Sequence, residues 1–137
     1  MNYTLGDSVR YIDDFLIYYA IALLLFAAFT LIYTVITPHR EFRLIRAGNM
    51  AAAISFGGAM IGFSLPLSAA LEYSVNLADM VLFALVATFV QLATFFIARM
   101  LLPGLPQSIE QGNIAKALFT AALSIAVGQL NAAALVY

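Results

Sequence analysis

The sequence predicts an all-α membrane protein in which four transmembrane helices form two parallel-oriented two-helix repeats, with a short interfacial helix after span one. Three observations predict it. Of 137 residues, 64% are hydrophobic and 9% charged, and the mean hydropathy is +0.99, whereas a soluble domain is about half apolar and a quarter charged. Four apolar runs reach the roughly 20 residues that a helix needs to cross the hydrocarbon core. A Gly-Asn pair followed by small residues occurs once in each half. The same composition excludes a soluble enzyme and a disordered tail. Six Lys+Arg against seven Asp+Glu leave no basic footprint for nucleic acid. There is no Cys, so neither disulfide nor thiolate chemistry is available. The chain reads as one integral membrane domain over residues 1–137.

Span one covers about residues 15–36 without a formal charge. Its acidic leading flank, Asp13-Asp14, and its length differ from a signal peptide, so it is expected to be retained. Thr37-Pro38 reads as a helix start, with a capping hydroxyl and a proline at the first helical position. A short interfacial helix is expected over 39–47, with Arg40, Arg43 and Arg46 on one side and Phe42 and Ile45 on the other. His39, the single histidine, reads as an interfacial residue. Gly48 can end this helix in a left-handed conformation and Asn49 can cap the next.

Span two covers about 50–71. Ala51, Ser55, Gly58, Gly62 and Ala69 share one face, with Gly58 and Gly62 forming a GxxxG pair. Pro66 should kink this helix, with Ser64 or Ser68 relieving the freed carbonyls. Span three covers about 80–102 and aligns Ala84, Ala87, Thr88, Gln91, Thr94 and Ala98, while Leu82, Phe89, Phe96 and Met100 point to lipid. The second connector repeats the Gly-Asn device as Gly112-Asn113. Span four covers about 114–136 and aligns Asn113, Ala117, Thr120, Ala121, Ser124, Gly128 and Asn131. These stripes are packing seams in the simplest reading. Alternatively Thr88, Gln91, Ser124 and Asn131 line a polar path, or one seam serves self-association.

The Gly-Asn pairs stand 64 residues apart, while Asp14 and Pro38 match Asp79 and Pro103 at a spacing of 65. The repeats would cover about 14–71 and 79–136. Each has an even number of spans, so both enter the membrane in the same orientation, unlike inverted transporter repeats. Arg40, Arg43, Arg46, Arg99 and Lys116 lie at one end of the spans, and only Arg10 at the other. The positive-inside rule therefore places both termini outside. Tyr11, Tyr18, Tyr19, Tyr73 and Tyr137 gather at the outer interface and Tyr33 at the inner one, as an aromatic belt would.

The stretch from Thr37-Pro38-His39-Arg40 through Arg46, then Gly48-Asn49 and Ala51-Ala52-Ala53, resembles the YjfL-like family of small bacterial inner-membrane proteins. Gly58, Gly62, Leu65-Pro66, Leu101-Leu102-Pro103, Gly112-Asn113 and Asn131-Ala132-Ala133 extend the resemblance from about Asp14 onward. The family is a domain of unknown function. The resemblance implies a multi-pass protein of the bacterial inner membrane with no established activity, associated with membrane-stress and envelope-maintenance systems; the termini placed outside by the positive-inside rule would then be periplasmic.

No Asp, Glu or His lies mid-span, so proton relays and intramembrane metal sites lack their usual residues. Ser64 has no base at its depth. The expectation is a non-enzymatic protein without cofactor or metal. Its cytoplasmic Arg face would engage the lipid bilayer or a cytoplasmic or membrane protein partner, with a homo-oligomer as a further arrangement. The competing expectation is an oligomeric channel or facilitator for ions or small polar solutes.

Overall fold

A computed structural model describes residues 4–135. Six helices follow in order: α1 (Leu5–Ile36), α2 (Glu41–Arg46), α3 (Met50–Tyr73), α4 (Leu77–Leu101), α5 (Leu105–Glu110) and α6 (Ile114–Ala134). No strand occurs among the described residues. The four long helices are apolar enough to cross a membrane. Val136, the last residue expected in span four, and Tyr137, expected at the outer interface, lie outside the described residues.

α1 starts about ten residues before the apolar run. Asp7 makes this possible: its carboxylate accepts from the amide (3.0 Å) and hydroxyl (2.8 Å) of Thr4, closing the first turn. At about 1.5 Å per residue, its 32 residues reach about 48 Å, well beyond a hydrocarbon core of about 30 Å.

The connector after α1 departs from expectation. Thr37 does not start a helix. It closes α1 instead, its amide donating to the Tyr33 carbonyl (3.0 Å). With Thr37 turned back onto α1 and Pro38 unable to donate, the chain bends over 37–40, and α2 begins only at Glu41 with Arg40 as its N-cap. Arg40 therefore precedes the helix that carries Arg43 and Arg46. The second connector forms a helix that its sequence did not announce. α5 follows Gly104, at a left-handed φ of 73°, and places Pro106 in its first turn.

α3 is the hub, with 12 of its 24 residues buried, against three of 32 in α1. It packs most extensively along α6, then along α4, and more lightly along α1 and α2. Gly58 lies against Ala121, and Gly62 against Ser124 and Gly128, so α3 and α6 run in the same direction. The core at one end is aromatic: Phe29 stacks on Phe63 at 4.2 Å, and Tyr33 meets Phe56 and Phe95 at 5.8 and 5.7 Å. Tyr33 is thus 2% exposed and part of this cluster, not of an interfacial belt. Its ring finds more contact between α3 and α4 than at the lipid boundary. At the other end Ala69, Ala70, Met80 and Leu135 form a smaller core. Leu82, Phe89, Phe96 and Met100 are exposed.

Candidate functional site

Three places concentrate the polar side chains. The first lies where α3, α4 and α6 meet. Pro66 has no N–H, so the carbonyl of Gly62, four residues earlier, has no helical donor. Gln91 of α4 supplies one: its Nε2 donates to the Gly62 carbonyl and to the Ser124 carbonyl of α6, each at 3.3 Å. Ser64 does not relieve this carbonyl; its hydroxyl donates to Ile61 at 2.7 Å. Gly62 and Gly128 let the two backbones touch, since a Cβ on Gly128 would overlap the Gly62 carbonyl and one on Gly62 the Ser124 carbonyl. Gly58 meets the Ala121 backbone in the same way. Thr88 is turned to its own helix, donating to Ala84 at 2.9 Å. Asn131 lies beyond this contact, with a buried Nδ2 that has no hydrogen-bond partner.

The second place is the pair of caps. Gly48 and Gly112 sit at φ of 88° and 81°, where a side chain would be strained. The amides of Gly48 and Asn49 close α2 onto Ile45 and Leu44, and those of Gly112 and Asn113 close α5 onto Ile109 and Ser108. Asn49 then accepts from Ala52 (2.9 Å), and Asn113 from Lys116 (3.1 Å). Asn49 does more. Its Nδ2 donates to the carbonyls of Ile109 and Glu110 at 3.0 and 3.1 Å, tying the start of α3 to the end of α5.

The third place surrounds α2. Arg40, Arg43 and Arg46 are exposed. Arg40 and Arg43 line a cleft of about 380 Å³ with Pro38, Leu44 and Glu110. Phe42 and Ile45 instead close the end of an apolar cleft of about 640 Å³ between α1 and α3, lined also by Phe26, Thr30, Ala53 and Met60. The remaining side of α2 carries Glu41, which points inward. Glu41 and His39 are each 1% exposed, so His39 is not an interfacial residue. The bend after α1 folds its ring inward to lie 6.1 Å from that of Phe95. Nε2 of His39 stands 3.4 Å from Oε1 of Glu41, yet neither ring nitrogen makes a hydrogen bond, and Oε2 of Glu41 has no partner. Oε1 of Glu41 is hydrogen-bonded to the Thr37 hydroxyl, which also lies 2.9 Å from the Tyr33 carbonyl. Burial pushes the Glu41 carboxyl up to about 7, against the lowering effect of the Thr37 contact, and pushes His39 down to about 4. Sequence reasoning missed this cluster. The available signal was Thr37 and Glu41 at i, i+4 with His39 between them, immediately after a span. Among the described residues no group of three or more His, Cys, Asp or Glu side chains gathers as metal ligands would.

The family model described as Domain of Unknown Function (DUF350) matches residues 5–135. The UPF0719 inner membrane protein YjfL of Escherichia coli (strain K12) is 33% identical over 120 residues, covering 88% of this chain and 91% of that protein. The UPF0719 transmembrane protein YshE of Bacillus subtilis (strain 168) is 25% identical over 118 residues, covering 85% and 88%. No solved structure matches.

Proposed function

The chain belongs to the DUF350 family of membrane proteins, and from that premise we propose that it is a non-enzymatic scaffold whose α2, with Arg40 as its N-cap, presents Arg40, Arg43 and Arg46 to anionic headgroups or to a protein partner, in the maintenance of the membrane that holds it. The carrying observation is how α2 divides its surface. Glu41 is committed to the interior and Phe42 and Ile45 to an apolar cleft, while all three guanidinium groups stay exposed. A helix so arranged lies flat at an interface, with apolar side chains toward acyl chains and cations toward headgroups. With the Arg-bearing connector in the cytoplasm, both termini are periplasmic. Gln91 and Ser124 are occupied in holding three helices together, which favours a packing role for the polar stripes over a lumen.

We also infer that the halves are copies of one unit. Each runs long helix, six-residue helix, left-handed glycine, asparagine cap and long helix, and the two closing helices, α3 and α6, lie side by side in parallel. The axis relating them would then run along the membrane normal.

The test is co-sedimentation with vesicles of phosphatidylglycerol and phosphatidylcholine. Arg40→Glu with Arg43→Glu is expected to remove the preference of a detergent-solubilised sample for the anionic vesicles. An unchanged preference would remove the Arg face from the reading. Flux of ions or small polar solutes through reconstituted protein, abolished by Gln91→Leu, would replace the scaffold with a channel.

A further inference from the structure

Thr37, His39 and Glu41 come together where the end of α1, the bend and the start of α2 meet, and they are among the few buried polar side chains outside the long helices. Their hydrogen count is informative. The Thr37 hydroxyl has one hydrogen and two acceptors in reach, the Tyr33 carbonyl and Oε1 of Glu41. A hydroxyl can donate once and accept from others. If Glu41 were ionised, the one hydroxyl hydrogen could serve only one of these two acceptors, although the Tyr33 carbonyl would keep the Thr37 amide as a donor. If Glu41 carries a proton, every contact is satisfied: the carboxyl O–H donates to Thr37, and Thr37 donates to Tyr33. Nε2 of His39 stands 3.4 Å away without a hydrogen bond, and burial of the imidazole disfavours the protonated ring that would supply a counter-charge.

We propose that Thr37, His39 and Glu41 form a proton-binding site, in which a protonated Glu41 seats α2 against the bundle and loss of that proton to solvent loosens the helix. On release, the carboxylate gains one negative charge in surroundings that offer little compensation. α1 contributes Tyr33 and Thr37, neither cationic. α4 contributes Phe95, with Arg99 one turn further on and exposed. α3 has no ionisable residue over its first 20 positions. On α5 the one ionisable group, Glu110, belongs to the cleft with Arg40 and Arg43. A buried carboxylate left with only the Thr37 hydroxyl and its own backbone amide as donors is costly, and the nearest remedy is for the first turn of α2 to turn Glu41 toward water. That movement would carry Phe42, Arg43, Ile45 and Arg46 with it. Its consequence for headgroup contact rests on the function proposed above; the proton site itself does not.

The sign follows from burial. Glu41 holds its proton to about 7 when seated, against an ordinary 4.5, so its contribution is complete in acid and is lost as pH rises through 7. His39 works in the opposite sense, held neutral down to about 4 against an ordinary 6.5, and it weakens the seat as pH falls. The two oppose each other in the native chain. Replacing His39 with Gln isolates the Glu41 effect.

Infrared spectra of the reconstituted protein at about pH 6 test the site directly. They should contain the carbonyl band of a protonated carboxylic acid that disappears in Glu41→Gln and fades in the native protein as pH rises past neutrality. The absence of any band lost in Glu41→Gln would overturn the proposal. In His39→Gln, amide exchange of residues 41–46, corrected for the intrinsic rate, should show opening increase about tenfold from about pH 6 to about pH 8.5. Adding Glu41→Gln should flatten that profile. A flat profile in His39→Gln alone would overturn the link between proton and helix. Neither readout measures headgroup binding, so failure here leaves the Arg face to stand or fall by its own vesicle assay.

Discussion

Gly62, Pro66, Gln91, Ser124 and Gly128 act as one contact. Proline frees a carbonyl, a glutamine from another helix occupies it, and a glycine on a third helix makes room for it. Adding a methyl at Gly128 forces the backbones apart, and Gly128→Ala is expected to destabilise the protein by about 1–3 kcal/mol, the usual range for overpacking. Gln91→Leu removes two hydrogen bonds worth roughly 0.6 kcal/mol each in a membrane interior, so a loss of about 1 kcal/mol is expected. Both are measured as shifts in unfolding of the detergent-solubilised protein. An unchanged midpoint in Gly128→Ala would contradict the close approach of α3 and α6. At this scale the sequence was half legible. The proline, the GxxxG pair and the polar stripes were visible as such. The partner of the freed carbonyl was not, because nearby serines offered a local solution and Gln91 lies 29 residues from Gly62 in the chain.

The short helices show which local signals are strong. Gly48, Asn49, Gly112 and Asn113 were readable because left-handed φ and side-chain capping are chemical properties of those residues. α5 was not, since, unlike the equally short α2, it carries no recurring charge opposite an apolar side. The start of α2 was misplaced because Thr37 and Pro38 suit either side of a helix boundary. His39 and Glu41 looked like surface residues because burial there depends on rings from α1 and α4. The caps themselves are unequal. Asn113→Ala removes one capping bond and is expected to cost about 1 kcal/mol. Asn49→Ala should cost more, since it also removes two hydrogen bonds to α5 carbonyls. Thermal unfolding of the two variants side by side checks the order, and equal losses would deny Asn49 its bracing role.

For the whole molecule, composition settled the medium and the number of spans, because four long helices cannot hide so much apolar surface from water. It did not reveal the hub. α3 is central because its small residues admit α6 closely, a property of matched surfaces and not of one hydrophobic run. The sidedness proposed above is open to test with single cysteines, as the chain has none of its own. In intact cells an impermeant maleimide should label Asp13→Cys, and should label Arg46→Cys only after the membrane is permeabilised. The reverse pattern would invert the molecule. α1, finally, has three buried residues in 32 and is gripped mainly where Phe29 and Tyr33 meet α3 and α4. So few holds could be remade against a second copy, were one present, at little net cost. Two chains could trade their first helices through the bend at 37–40 and each keep its aromatic stack, which gives this fold an inexpensive route to an entwined pair.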